Sequence, residues 1–253
     1  MTVADGVARI VLDDPAKRNA VTARSSAAFL AAARRAVNDS DVRVIVLTAT
    51  GDFFSVGGDI GEFMANEHAL SQHLEVLTDN IHGGIRHLVD APVPVVVGLN
   101  GIVAGGGVGM MLAGDVIVAK RSARIASGYT RSGLTPDAGL TWHLPRLLGH
   151  ARAFEILAFN EFVSAEQALP LGLVSRVVDD DQFEAELETV IEKLNGSVGR
   201  VLGDTKRLLR QSPDAAFEAQ LDAEAQAIAM RVGLPETVER LDAFARRDAG
   251  GEG

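Results

Sequence analysis

The sequence predicts an α/β fold, and three observations carry that prediction. Twice a short run rich in β-branched residues passes through glycines into a helix-forming stretch. Residues 42–47 lead to Phe54-Ser55-Val56-Gly57-Gly58-Asp59-Ile60, and residues 94–99 lead to Asn100-Gly101-Ile102-Val103-Ala104-Gly105-Gly106-Gly107-Val108-Gly109. Two more short runs, 115–119 and 123–126, alternate as strands. Beyond residue 178 the alternation stops and the chain reads as helix, which divides it into a strand-bearing core, residues 1–178, and a helical region, residues 179–253.

Each element has a local cause. Residues 6–12 alternate and close at Asp13-Asp14-Pro15, the pattern of a strand and its stop. Lys17 and Arg18 then put two cations into a loop of an otherwise acidic chain; by residue type alone, solvated surface charges fit equally well. Thr22 is placed to cap an alanine-rich helix ending near Asn38. Residues 66–89 read as one long helical segment with His68, His73, His82 and His87, ended by Pro92 and Pro94. The histidine spacings of five, nine and five put no pair one helical turn apart, so they do not describe a metal site. His82 or His87 remains a candidate for a pocket wall. Gly133-Leu134-Thr135-Pro136-Asp137-Ala138-Gly139 turns the chain into a helix over residues 138–148, where Asp137 could be no more than its N-cap. Glycine, proline and serine breaks then separate helices over 179–194, 198–211, 213–232 and 235–247, and the tail 248–253 is expected to be disordered.

Composition bounds the possibilities. A chain of 253 residues with 47% hydrophobic residues can bury a sizeable core. A formal net charge of −10 argues against nucleic acid or an anionic membrane as partner. The absence of cysteine removes disulfides and thiolate metal ligands. No apolar run reaches the roughly eighteen residues of a membrane span, and Met1-Thr2-Val3-Ala4-Asp5-Gly6 lacks a signal pattern, so a cytoplasmic location is the expectation.

The glycine turns carry the chemistry. Consecutive glycines let the backbone approach a ligand, and N–H groups at a helix start are unpaired, so such a turn suits an anion or a developing oxyanion. No Lys-Ser or Lys-Thr follows the glycines, which excludes a P-loop. The first strand runs into Asp13-Asp14-Pro15 rather than G-x-G-x-x-G, which excludes a dinucleotide fingerprint. Close helix–strand packing would also use such glycines, but two turns about fifty residues apart can each offer an N–H to one carbonyl oxygen.

With both turns in view the chain resembles the enoyl-CoA hydratase/isomerase (crotonase) superfamily, from Lys17-Arg18-Asn19-Ala20 through both glycine turns and Gly133-to-Gly139 to Ser164-Ala165-Glu166-Gln167-Ala168-Leu169-Pro170-Leu171-Gly172-Leu173-Val174. The resemblance implies a spiral of β-β-α turns with a C-terminal helical region that builds homo-oligomers, trimers or hexamers. It implies an acyl-CoA thioester as substrate, with coenzyme A entering as part of the substrate and no separate cofactor or metal. By the same resemblance the backbone N–H groups of Gly58 and Gly106 form the oxyanion hole. Lys17 and Arg18 meet the adenosine-diphosphate end of coenzyme A, and Val56, Asp59, Ile60, Gly105 and Tyr129 belong to the substrate site.

The chain departs from the hydratase pattern where it matters most. The two positions that carry glutamates in hydratases hold Gly109 and Tyr129, neither of which can act as a carboxylate base. Asp137 stands where isomerases of the superfamily carry the aspartate that moves the proton, and Pro136-Asp137-Ala138-Gly139-Leu140-Thr141-Trp142-His143-Leu144-Pro145-Arg146 is similar to the 1,2-epoxyphenylacetyl-CoA isomerases. The expectation is an enoyl-CoA isomerase with Asp137 as base and acid. Its rivals are a hydratase with an unusual acid, an aryl-CoA dehalogenase or hydrolase in which Asp137 attacks the ring and His82 or His87 activates water, and a binding paralogue without turnover.

Overall fold

A computed structural model describes residues 1–197 and 200–249. β1 (Thr2–Ala4) and β2 (Val7–Leu12) pair as a hairpin about Asp5 and Gly6, whose φ values of 51° and 78° are those of the tight turn that matches strand twist. Helix α1 (Ala23–Asn38) opens as expected: Thr22 accepts from the Ser25 N–H while the Ser25 hydroxyl caps the Thr22 N–H.

One plan then repeats, in which a strand joins a large sheet, the next joins a small sheet, and a helix follows. β3 (Val44–Ala49) and β4 (Phe53–Ser55) precede α2 (Ile60–Ala65) and α3 (Leu70–Val89). β5 (Val95–Leu99) and β6 (Ile102–Ala104) precede α4 (Gly106–Leu112). β7 (Val116–Lys120) and β8 (Arg124–Ala126) precede α5 (Leu140–Leu148) and α6 (His150–Phe159). β9 (Val163–Ser164), α7 (Ala165–Ala168), β10 (Arg176–Val178) and α8 (Phe183–Asn195) complete the core. The large sheet has the order β1-β2-β3-β5-β7-β10, parallel except for β1, and the small sheet β4-β6-β8-β9, parallel except for β9. The result is the α/β spiral that the sequence implied.

The large sheet is buried on both faces. Ile45, Leu47, Val95, Val97 and Leu99 point into the main core with Phe29 of α1 and Ile81, Ile85 and Leu88 of α3. The alternate residues Val44, Val46, Val96 and Val118 meet Phe183, Leu187, Val190 and Ile191 of α8. This double burial is why β3 and β5 read as unbroken apolar runs rather than alternating ones. Gly98 leaves the space that α8 fills, since a Cβ there would sit 2.9 Å from Leu187 Cδ2.

Three boundaries differ from the sequence reading. The first compact unit is Met1–Asn195, so α8 belongs with the strands, one helix beyond the division drawn at residue 178. Burial of its apolar stripe against the sheet is the reason. The segment 66–89 is broken: Asn66 ends α2, its side-chain amide donating to the Glu62 carbonyl at 2.8 Å, and α3 starts at Leu70. The helix expected from residue 138 starts at Leu140, because Ala138 and Gly139 take positive φ values of 52° and 84°.

The second unit, Gly196–Gly253, holds α9 (Val201–Gln211), α10 (Phe217–Val232) and α11 (Pro235–Ala249). Asp204 of α9 pairs with Arg231 of α10 at 2.5 Å. Leu209, Phe217, Ile228, Met230 and Phe244 are exposed. Of the tail expected to be disordered, residues 248–249 close α11 and residues 250–253 lie outside the described residues. Among the described residues no helix is long and apolar enough to cross a membrane.

Candidate active site

The two glycine turns touch. Gly57 and Gly105 have φ values of 79° and 55°, and a Cβ on Gly57 would lie 3.0 Å from the Gly105 Cα, so both positions require glycine for conformation and for space. The neighbouring amides are taken: Gly57 donates to Ser55 Oγ at 3.2 Å, Asp59 to the Val21 carbonyl at 3.0 Å and Gly105 to the Ser127 carbonyl at 3.0 Å. Buried Ser55 also donates to the Asn19 carbonyl at 2.8 Å, which pins the first turn. Among the described contacts the N–H groups of Gly58 and Gly106 have no protein acceptor, and both residues line one pocket. Two unpaired N–H donors in one cavity can hold a carbonyl oxygen as it gains charge.

That pocket, about 350 Å³, is walled mainly by apolar side chains, among them Val21, Val56, Ile60, Phe63, Leu74, Leu77, Ile81 and Leu134. Asp137 is the sole acid of its lining. It does not cap α5: Gly139 stands at the N-cap, without a side-chain bond. The Asp137 carboxylate instead accepts from the Tyr129 hydroxyl through Oδ1, and its Oδ2 lies 3.3 Å from His82 Nε2. Burial, and then the Asp137 charge beside it, push the Tyr129 hydroxyl above the ordinary tyrosine range, so it stays protonated and donates. The hydroxyl also lies 3.7 Å from where a Gly106 Cβ would stand, which brings the carboxylate's donor next to an amide of the glycine turns.

The turn behind Asp137 explains the missing hydratase glutamate. A Cβ on Gly109 would lie 2.1 Å from the Ala138 carbonyl oxygen, so that the Asp137–Gly139 turn seats itself on the surface of α4 where a side chain would otherwise stand. The turn that presents Asp137 and a glutamate at residue 109 exclude each other. Ala138 is buried and left-handed, a conformation that costs a residue with a Cβ roughly 1–2 kcal/mol. Its N–H donates to His82 Nε2 at 3.1 Å.

Of the residues expected in the substrate site, Val56, Gly58, Ile60, Gly105, Gly106, Tyr129 and Asp137 line the pocket, whereas Lys17, Arg18 and Asp59 stand outside its lining. Asp59 caps α2, accepting from the Glu62 N–H; that bond holds its carboxyl below the ordinary range, and Lys17, 3.5 Å away, lowers it further. Arg18 lies over the Phe53 ring at 5.3 Å. Neither His82 nor His87 lines the pocket. Sequence reasoning missed two things: the bond from Ala138 to His82, which no local spacing signals, and Phe63, whose ring would lie 2.3 Å from a Cβ on Gly58 and so covers that turn.

A model of the enoyl-CoA hydratase/isomerase family matches residues 2–247. The 4-chlorobenzoyl coenzyme A dehalogenase-2 of Arthrobacter sp is 31% identical over 96% of this chain and 89% of its own. The 1,2-epoxyphenylacetyl-CoA isomerase of Escherichia coli (strain K12) is 29% identical over 88% of this chain and 85% of its own. The crystal structure of an enoyl-CoA hydratase from Polaromonas sp. JS666 superposes with a TM-score of 0.91 at 28% identity, covering 97% of this chain and 96% of that one.

Proposed function

The chain belongs to the enoyl-CoA hydratase/isomerase family, a family of enzymes, and from that premise we propose that it shifts a double bond in an enoyl-CoA thioester by single-carboxylate proton transfer. The observation that carries this reading is Asp137 as the sole acid lining the pocket that also holds the free N–H groups of Gly58 and Gly106. Asp137 takes a proton from the carbon between the thioester and the double bond. The two N–H groups stabilise the enolate oxygen, and the same carboxyl returns the proton to the γ-carbon. Tyr129 donates to the carboxylate and sets its orientation. Two-glutamate hydration has no support, because residue 109 is closed by Ala138 and Tyr129 is engaged with Asp137. The test is conversion of 3-hexenoyl-CoA to its conjugated isomer by wild-type enzyme and by Asp137→Asn, with butyryl-CoA binding measured alongside. A wild-type rate in the mutant would remove the mechanism.

A second reading is favoured by one contact. His82 Nε2 stands 3.3 Å from Asp137 Oδ2, as a hydrolytic aryl-CoA dehalogenase would need. There Asp137 would attack the halogen-bearing ring carbon, halide would leave with the bonding pair, and His82, its Nε2 lone pair first released from the Ala138 N–H, would deprotonate the water that cleaves the ester. Chloride release from 4-chlorobenzoyl-CoA separates this reading from the first. For the assembly, exposed Phe217, Ile228, Met230 and Phe244 support self-association of the helical unit, which sedimentation velocity would test.

A further inference from the structure

We propose that His82 is a positioning residue whose Nε2 lone pair holds the Ala138 N–H and so aims the Asp137 carboxylate into the pocket. The inference rests on Asp137 being the reactive carboxylate. An imidazole nitrogen carries either a lone pair or a proton, so Nε2 can accept from Ala138 at 3.1 Å or donate to Asp137 at 3.3 Å, but not both. The Ala138 N–H is directed at Nε2 with hydrogen-bonding geometry, which selects the neutral ring with its proton on Nδ1.

Position makes this bond matter. Ala138 is buried, and its carbonyl oxygen sits against Gly109 of α4, so the peptide is clamped from α4 on one side and from α3, through His82, on the other. Ala138 is left-handed, a conformation that costs a residue with a Cβ and that the contacts on both sides hold in place. The Asp137 side chain itself is 32% exposed, so burial does not fix its direction. The turn and the Tyr129 hydroxyl do. His82 is 39% exposed, which makes it replaceable with little loss of packing.

The experiment compares His82→Leu, His82→Gln and His82→Asn in the full chain, with Asp137→Asn measured in parallel on 3-hexenoyl-CoA and 4-chlorobenzoyl-CoA. Glutamine places an amide oxygen near the Nε2 position and accepts without acting as a base; asparagine is too short to reach Ala138. Leucine and asparagine should each lower kcat by about tenfold, the loss expected for one hydrogen bond, with KM within about twofold, and glutamine should restore most of the rate. Independently of turnover, imidazole ¹⁵N shifts at neutral pH should show Nε2 unprotonated, and amide exchange at Ala138 should quicken in the leucine and asparagine variants only. Glutamine as slow as leucine, an Nε2 that carries the proton, or unchanged kcat in the leucine variant would each overturn the positioning role. If Asp137→Asn keeps its rate the carboxylate reading falls instead, whatever His82 does.

Discussion

On one side of the pocket the groups able to act on a thioester are main-chain N–H donors, Gly58 and Gly106; on the other they are side chains, Asp137 held by Tyr129 with His82 behind. The first set is fixed by conformations that only glycine adopts easily and by the contact of Gly57 with Gly105, so it leaves a mark in the sequence. The second set is drawn from α3, which carries His82, and from the β8–α5 connection, which carries Tyr129 and Asp137, and the two meet only through space. The difference teaches that a donor pair made of backbone is robust to most side-chain changes, whereas the set made of side chains can be retuned by one substitution.

That comparison can be broken at several points. The largest effect should come from Asp137→Asn, which removes the proposed proton carrier and should lower kcat by roughly 10²–10⁴ with butyryl-CoA affinity unchanged. Steady-state kinetics with calorimetric binding reads both. Next is Gly106→Pro, which deletes the N–H while keeping the start of α4, since proline suits the first helical position. A loss of about 10²–10³ in kcat is expected, against near-normal rates for Gly106→Ala, whose Cβ would meet Tyr129 only at 3.7 Å. Equal losses in the two variants would mean that the amide is not the donor. Tyr129→Phe should cost about tenfold in kcat by freeing the carboxylate. The smallest effect is spectroscopic. Tyr129 is the only tyrosine, and its hydroxyl is raised above the ordinary value near 10. The folded chain therefore keeps a proton that the unfolded chain releases, so this contribution to stability is complete below about pH 10 and falls as pH rises beyond it. Phenolate absorbance should appear together with loss of circular dichroism; phenolate in the folded chain would show Tyr129 to be free of Asp137.

Much of the fold was legible along the chain. The strand runs of residues 42–47 and 94–99, the Thr22 cap and the cadence of strand and glycine turn are local signals, and local physics produces them. Where the structure departs, a distant partner intervenes: α8 packs back on the sheet, and Asp137 spends its carboxylate on Tyr129 rather than on the cap of α5.

Sequence alone determined the two glycine turns, the lack of carboxylates at residues 109 and 129 and the apolar strands, because backbone freedom and side-chain chemistry belong to each residue wherever it goes. Only the tertiary structure decided that Ala138 closes the space over Gly109 and that His82 reaches its N–H. Those relations depend on α3, α4 and the Asp137 turn arriving at one place, and no residue spacing encodes that arrival.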